Sequence, residues 1–327
     1  MSTHIGLQDR VGDYIAERRR LGFQLRSLDT LLADFVKFVA DQHHDGPLTV
    51  ELMTDWVRTG KGGLGTPETW SRRMALLRRF VRYLKQFEPH TEIPEPSIFG
   101  PELGRVAPHI YREDEIVELL AAARQLEPHG GLRPATYETL FGLMASTGLR
   151  VSEAIHLQDP DVDLKGAMLI VCQTKFAKSR QVPLHPSAVT ALAHYRRQRK
   201  QHVPTTADMP FFIATRGARL GQPLGERQVH RIFNALRDSL NWVNRGAHAA
   251  PRLHDLRHTF AVRRLMRWHH EGANVDQKML ALSTYLGHAK ISHTYWYLSA
   301  VPELMALASS KFERFADCAG GDNDQPY

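Results

Sequence analysis

A proline-rich segment near residue 100 constrains the fold of this 327-residue chain more than any other feature. Between Phe87 and Pro108 the sequence contains five prolines and two glycines. Proline removes a backbone donor and clashes with the preceding helical turn, so this stretch cannot be a helix and is typical of a linker. Helical patterns flank it, and the length suffices for two domains. We expect domains over residues 1–87 and 111–316, a linker over 88–110 and a disordered tail over 317–327.

The first domain is predicted to be helical. Apolar residues recur at helical spacing from Leu28 to Val39, with Ser27 placed to cap the helix. A shorter helix is expected over Val50–Arg58. Thr66 and Pro67 begin a longer one, whose core stripe consists of Trp70, Met74, Leu77, Phe80, Val81 and Leu84.

Basic side chains occupy other faces of that longer helix, namely Arg72, Arg73, Arg79 and Arg82. A charged helix face is ordinarily just solvated. The alternative is a face that supplies cations to the phosphates of a nucleic acid duplex. The whole chain carries 42 Lys+Arg against 35 Asp+Glu, a net charge of +7, with a pI near 9.5. This balance favours a polyanionic partner, although charge alone is weak support.

The second domain is predicted to add a small sheet to further helices. One helix begins near Tyr111, and another spans about 135–146 and ends at Gly148, which suits a left-handed C-cap. Residues 168–172 form a β-type run, 175–179 a polar turn and 181–184 the return strand. Later helices are expected around 187–201, Glu226–Leu240, 254–270, 277–286 and 302–315. The fold class is therefore mainly α with a small antiparallel β-sheet.

Several classes of protein are excluded by composition. Two distant cysteines, Cys172 and Cys318, provide neither a disulfide framework nor a cysteine-based zinc site, and they fit a reduced cytoplasm. No apolar run is long enough to span a bilayer, and the N-terminus lacks the apolar core of a leader. We expect a cytoplasmic protein without a membrane partner.

Four short motifs, separated in the sequence, contain side chains that suit one reaction, the attack on a phosphodiester. They are Thr147-Gly148-Leu149-Arg150-Val151-Ser152-Glu153, Leu253-His254-Asp255-Leu256-Arg257-His258-Thr259-Phe260, Leu286-Gly287-His288 and, nine positions after His288, Tyr297. Guanidinium groups hold and neutralise the non-bridging oxygens of a phosphodiester, imidazoles manage protons, and a phenol serves as nucleophile. Because His254 and Arg257 lie about one helical turn apart, both side chains can meet one phosphate.

These motifs, in this order, resemble the signature boxes of the tyrosine recombinase (phage-integrase) family over residues 111–298, and the N-terminal helices resemble the family's core-binding domain more loosely. The resemblance implies a two-domain DNA clamp. It makes Arg150 and Arg257 the phosphate clamps, with Glu153 in support. It gives His254 a part in proton transfer and His288 a hydrogen bond to the scissile phosphate. Tyr297 is the nucleophile, whereas Tyr285 and Tyr295 lack the family spacing.

The remaining catalytic position is a lysine on the turn of the β-hairpin, which protonates the departing 5′ oxygen. Lys175 fits an early place on that turn, and Lys178 is its competitor. His258 is adjacent to Arg257 and is expected to point elsewhere, as a structural residue. The histidine-rich 269–271 stretch does not match a zinc-protease helix, so no metal site is expected.

The resemblance implies a site-specific recombinase that cuts and rejoins double-stranded DNA through a 3′-phosphotyrosine and a Holliday junction, without metal or cofactor. The expected assembly is a homotetramer on paired sites, monomeric or dimeric without DNA, with or without partner recombinases. Two alternatives stay open: a type IB topoisomerase, and a DNA-binding regulator that has lost cleavage. A role in a mobile element is the expected setting.

Overall fold

The computed structural model describes residues 6–23, 25–59, 65–100, 105–172, 179–204, 206, 208–300 and 305. The chain divides into two compact units, Met1–Arg105 and Val106–Tyr327. The described elements are mostly helices, together with one three-stranded antiparallel sheet, which confirms the predicted fold class. Among the described residues, no helix combines the length and apolarity needed to cross a membrane.

The first unit contains helices α1 (Leu7–Arg20), α2 (Arg26–Asp41), α3 (Val50–Arg58) and α4 (Pro67–Leu84). Its core includes Phe35 and Trp56, whose rings meet edge to face at 5.0 Å. The predicted stripe on α4 is confirmed, since all its members are fully buried except the partly buried Trp70. The predicted cap at Ser27 is wrong: α2 begins at Arg26, with Leu25 at its N-cap, two residues before the expected position.

Part of the segment expected to be a linker packs on the first unit instead. The backbone N–H of Glu92 donates to the carbonyl of Leu48 at 2.9 Å. The buried Arg78 donates through Nε to the carbonyl of Pro94 and through Nη2 to that of Glu95, both at 2.8 Å. Prolines prevented a helix here, but their carbonyls still accept hydrogen bonds, so the segment is held as an extended strap.

The second unit is built around helix α6 (Leu132–Thr147), which contacts α5 (Glu113–Arg124), α8 (Pro186–His202) and α10 (Asp255–His270). Consecutive buried residues on α6, from Leu140 to Met144 with Gly142 between, place apolar side chains on most of its sides. A helix that is apolar all round belongs in the middle of a domain. The other helices are α7 (Val151–Ile155), α9 (Glu226–Leu240), α11 (Val275–Leu286) and α12 (Ser292–Ala300).

The sheet has the order β1 (Val162–Asp163), β2 (Met168–Val171) and β3 (Arg180–Pro183), all antiparallel. Leu169 pairs with Val182, and both point into the core. The predicted strand and its return are confirmed. The turn between them, residues 173–178, lies outside the described residues, as do the predicted helix over 302–315, apart from residue 305, and the tail over 317–327.

Candidate active site

The first predicted arginine lies where α6 ends and α7 begins. Gly148 ends α6 in the left-handed conformation (φ +65°), which suits a residue without a Cβ, and Arg150 follows as the N-cap of α7. Arg150 Nη1 donates to Glu153 Oε1 at 2.7 Å, and Nη2 donates to the carbonyl of Gly287 at 3.1 Å. One third of the Arg150 side chain is exposed, so its guanidinium borders the solvent while the Glu153 carboxylate is buried.

Glu153 binds a second arginine that the sequence analysis missed. Arg180, the first residue of β3, donates through Nη1 and Nη2 to the two carboxylate oxygens of Glu153 at 3.0 and 2.8 Å. Its Nε donates to the carbonyl of Tyr285 at 2.7 Å. The residue therefore ties the sheet to α7 and to the end of α11. Arginine is common at the ends of strands, so the position of Arg180 in the sequence did not indicate a place in the site.

The charge of Glu153 is maintained by these cations. Burial favours the neutral acid, but the hydrogen bonds and charges of Arg180 and Arg150 outweigh it and lower the pKa of Glu153 to about 2. Arg257 Nη1 lies 4.0 Å from the same carboxylate. One buried anion thus holds three guanidinium groups together.

Arg257 is the most deeply placed of the three, with 2% of its surface exposed. Its Nη1 donates to the carbonyl of Gly148 at 2.8 Å, and its Nη2 donates to that of Leu286 at 2.6 Å. Burial and the charge of Arg150 lower the pKa of Arg257 to about 10, against the opposing effects of Tyr297 and Glu153. The group therefore remains a cation at neutral pH.

The start of α10 is fixed by hydrogen bonds around it. The buried Asp255 accepts from the backbone N–H and from Nη2 of Arg252, both at 2.8 Å. Thr259 Oγ1 accepts from the backbone N–H of Tyr111 at 2.9 Å. His254 is the N-cap residue of this helix. Desolvation by neighbouring atoms and the charges of Arg257 and Arg252 lower the pKa of His254 to about 4.

His288 follows the end of a helix rather than beginning one. Gly287 is the left-handed C-cap of α11 (φ +65°), and the backbone N–H groups of Gly287 and His288 donate to the carbonyls of Thr284 and Ser283, both at 3.0 Å. This pair of bonds is the Schellman motif. His288 Nδ1 lies 2.7 Å from Thr294 Oγ1, which orients the ring. The imidazole lies nearly parallel to the Tyr297 ring, with centroids 6.4 Å apart.

Tyr297 lies on α12 with 1% of its surface exposed. Its hydroxyl is 3.0 Å from Nδ1 of His258. His258 points away from Arg257 on α10, as expected, and α12 brings the phenol to that side of the helix. Its role as a structural residue stays a prediction. The usable signal was the four-residue spacing of His254 and His258, which places both on one helix face; their rings meet edge to face at 4.8 Å.

The other tyrosines near the site have different surroundings. Tyr285 stacks on Phe260 with centroids 5.5 Å apart, and burial raises its pKa to about 12. Tyr295 is exposed on the outer side of α12. Only Tyr297, of the three, has its hydroxyl hydrogen-bonded to a described histidine of α10.

The second unit therefore brings together Arg150, Glu153, His254, Arg257, His288 and Tyr297 from α6–α7, α10 and α11–α12. Lys175 and Lys178 lie outside the described residues. Residues 110–303 match the model of the phage integrase family. The chain belongs to this family.

Similarity to individual proteins of the family extends over almost the whole chain. A putative integrase/recombinase of Sinorhizobium fredii (strain NBRC 101917 / NGR234) is 37% identical over 318 residues, covering 96% of this chain and 98% of the relative. The Tn1549 transposon integrase in complex with transposon right end DNA has a similar fold (TM-score 0.64, 17% identity, 95% of this chain and 100% of that one). A lambda integrase tetramer bound to a Holliday junction is also similar (TM-score 0.59, 18% identity, 88% and 78%).

In this integrase-family chain, the basic residues of α4 do not share one environment. Arg72, Arg79 and Arg82 are exposed. Arg73 is half-buried: its Nη2 donates to Asp34 at 3.2 Å, and its guanidinium lies 4.3 Å over the ring of Trp56. Arg73 is thus engaged inside its own unit, whereas the exposed arginines have the accessibility that a phosphate contact requires.

Within the described ranges, no group of three or more His, Cys, Asp or Glu residues is arranged to hold a metal ion. The positive charge around Tyr297 comes from guanidinium groups, so the arrangement suits an anion.

Proposed function

We propose that this chain is a site-specific DNA recombinase in which Tyr297 attacks a phosphodiester and forms a 3′-phosphotyrosine bond. The supporting observation is the burial of the Tyr297 hydroxyl beside His258, in electrostatic contact with Arg257. Arg257 is in turn joined to Arg150 through Glu153. A phenol in water is mostly protonated at neutral pH, and nearby cations favour the phenolate that develops during attack.

Arg150 and Arg257 are the groups that we assign to the non-bridging oxygens of the scissile phosphate. A guanidinium presents several N–H donors in a planar fork, and the charge of the pentacoordinate transition state exceeds that of the starting diester. Glu153 and the carbonyls of Gly148, Leu286 and Gly287 fix both forks before DNA arrives. Such preorganisation avoids a reorganisation cost during the reaction.

The imidazoles and the hairpin lysine complete the proposed reaction. We assign to His254 and His288 hydrogen bonds at the phosphate, and to Lys175, or Lys178 in its place, the protonation of the departing 5′ oxygen. Because one phosphate ester replaces another, a 5′ hydroxyl from a second strand can reverse the step without ATP. The cations take the place that a divalent metal occupies in other phosphoryl transfer enzymes, and we propose that the reaction is metal-independent.

Recombination requires two DNA sites, and we propose that the chain acts as a tetramer on paired duplex sites through a Holliday junction. The similarity to the lambda integrase tetramer on such a junction supports this assembly. The similarities to a transposon integrase and to a putative integrase/recombinase favour a role in a mobile element. Partner recombinases of the same family are compatible with this scheme.

A covalent-trapping experiment tests the nucleophile. DNA trapped on the wild-type protein in its native host is sequenced to find the site, which is then made as a duplex nicked next to the cleavage point. The short fragment diffuses away after cleavage, so the adduct accumulates. We expect adducts with the wild type in the presence of EDTA, and none with Tyr297→Phe, whose DNA binding is unchanged. Tyr295→Phe, two residues away and exposed, is the matched control and should behave as the wild type.

The same experiment separates the two alternatives. Adducts in Tyr297→Phe would refute the assignment of the nucleophile. A wild-type protein that binds DNA but forms no adduct would be a regulator. Adducts accompanied by relaxation of supercoils at arbitrary sequence, without exchange between two sites, would indicate a type IB topoisomerase.

A further inference from the structure

The contact between His258 and Tyr297 joins two residues 39 positions apart through a ring nitrogen and the phenolic oxygen, at 3.0 Å. The ring planes are inclined by 64°, with centroids 5.5 Å apart, so the imidazole approaches the hydroxyl at its edge rather than covering the phenol. Trp296 adds an edge-to-face contact with His258 at 5.8 Å. The pair is therefore enclosed by side chains of α10 and α12.

The direction of proton transfer follows from the chemistry of the two groups. A neutral imidazole carries one N–H, on either nitrogen, and a phenol carries one O–H. When the hydrogen is on Nε2, the lone pair of Nδ1 faces the phenolic proton at hydrogen-bonding distance. That geometry places a proton acceptor beside the phenolic O–H bond, which must break as the oxygen attacks phosphorus.

Without bound phosphate, the surroundings lower the pKa of His258 to about 2, so the imidazole is neutral and weakly basic, and its Nδ1 lone pair can accept a hydrogen bond from the phenol. Burial is the main cause that lowers the pKa of His258, followed by the charges of His254, Arg252, Arg257 and His288, which face it from α10, its preceding loop and the end of α11. A bound phosphate adds a negative charge beside these cations, and the transition state adds another. Both changes raise the basicity of the imidazole at the moment of attack.

We propose that His258 is a catalytic residue that accepts the Tyr297 proton as the phenolic oxygen attacks phosphorus. This inference rests on the function proposed above. The Oη–P bond forms while the O–H bond breaks and the proton passes to Nδ1. The P–O5′ bond breaks, and the departing oxygen takes a proton from the hairpin lysine. During rejoining, the imidazolium returns its proton to the tyrosine oxygen as that oxygen leaves.

This assignment differs from the role that the family resemblance gives to His254. His254 lies at the helix start, and its ring meets the His258 ring edge to face at 4.8 Å. His254 is placed to meet the phosphate beside Arg257, and His258 is placed to meet the nucleophile. Two histidines on one face of α10 thus divide the tasks of binding the anion and accepting the proton.

The test uses two reactions at the same site. The first is single-turnover cleavage of the nicked substrate, which needs Tyr297 and a base. The second joins a 5′-hydroxyl strand to a strand that ends in a 3′-p-nitrophenyl phosphate. That joining needs the phosphate clamps but not Tyr297, because p-nitrophenolate leaves without a proton. His258→Asn keeps a hydrogen-bonding group near the Nδ1 position but cannot act as a base at neutral pH. The control is His270→Asn, an exposed histidine on the same helix.

We expect His258→Asn to slow cleavage by about 10²- to 10⁴-fold, the usual contribution of a general base. The joining reaction should stay within about threefold of the wild type, and His270→Asn should leave both unchanged. Cleavage by His258→Asn at the wild-type rate would overturn the proposal. An equal loss of both reactions would overturn it as well, because it would indicate a role in holding the site or the DNA.

A second variant covers the case in which His258→Asn does not fold. His258→Gln, which places its amide farther from the backbone, should likewise slow cleavage selectively and spare the joining reaction. Equal rates or equal losses in the two reactions would contradict the inference. If the wild type forms no Tyr297 adduct at all, the proposed function itself fails; if it does, only the role of His258 is at stake.

Discussion

Replacement of Glu153 by Gln should destabilise the second unit by an amount that depends on pH. Glu153 is 7% exposed and binds Arg150 and Arg180, with Arg257 at 4.0 Å. A pKa lowered from 4.5 to about 2 corresponds to about 3 kcal/mol of stabilisation, at ~1.4 kcal/mol for each unit. In other proteins, loss of one partner from a buried ion pair costs roughly 3–5 kcal/mol, which agrees with the value obtained from the pKa of Glu153.

The sign of the pH dependence follows from the lowered pKa. The folded protein binds this proton less readily than the unfolded chain, so the stabilisation is fully present above pH 4.5 and is lost as the pH falls towards 2. At pH 3 about half of it should remain, roughly 1.5 kcal/mol. The difference between wild type and Glu153→Gln should therefore be largest at neutral pH and shrink in acid.

Urea unfolding at pH 7 and at pH 3 measures this difference. Glu138→Gln is the control, because Glu138 pairs with Arg124 at the surface of the same unit, where an ion pair contributes less than about 1 kcal/mol. The reasoning would be refuted if Glu153→Gln were no less stable than Glu138→Gln at pH 7. It would also be refuted if the gap between Glu153→Gln and the wild type did not change with pH.

Two further predictions concern the end of α11 and the basic face of α4. Gly287→Ala should lower stability by more than Gly272→Ala and should slow cleavage. Both glycines have positive φ, but only at Gly287 would a new Cβ meet a neighbour, 2.7 Å from Nη1 of Arg180. Thermal unfolding and the trapping assay check this prediction, and equal effects of the two substitutions would contradict it. Replacement of Arg79 or Arg82 by Gln should reduce the slope of log DNA affinity against log salt concentration by about 0.9 for each arginine. Arg73→Gln should leave this slope unchanged and lower the stability of the first unit. DNA-binding titrations at several salt concentrations measure the slopes.

Local signals in the sequence identified much of the fold. Thr49 and Thr66 cap α3 and α4 through their side chains, so the start of each helix was readable from one polar residue before an apolar run. Gly148 ended its helix as expected, because a left-handed residue at that point favours glycine. The strap over 88–100 was not readable, since its stability comes from carbonyls that accept bonds from Arg78, and a backbone acceptor leaves no trace in the sequence.

The site shows the same division between local and tertiary information. The spacing of His254 and Arg257 and of His288 and Tyr297 is local, and these residues converge as expected. Arg180 was missed because its partners, Glu153 and the carbonyl of Tyr285, lie 27 and 105 positions away. The contact of His258 with Tyr297 was not predicted, because the position of a residue on α10 does not show which later helix packs against it.

The two carbonyls that accept from Arg257 have a consequence for how the protein assembles. They belong to Gly148 and Leu286, at the C-terminal ends of α6 and α11, where helices carry a partial negative charge. A single cation therefore terminates two helices separated by more than a hundred residues of chain. The guanidinium that we assign to the scissile phosphate is therefore positioned by the docking of these two helices, and its orientation depends on both.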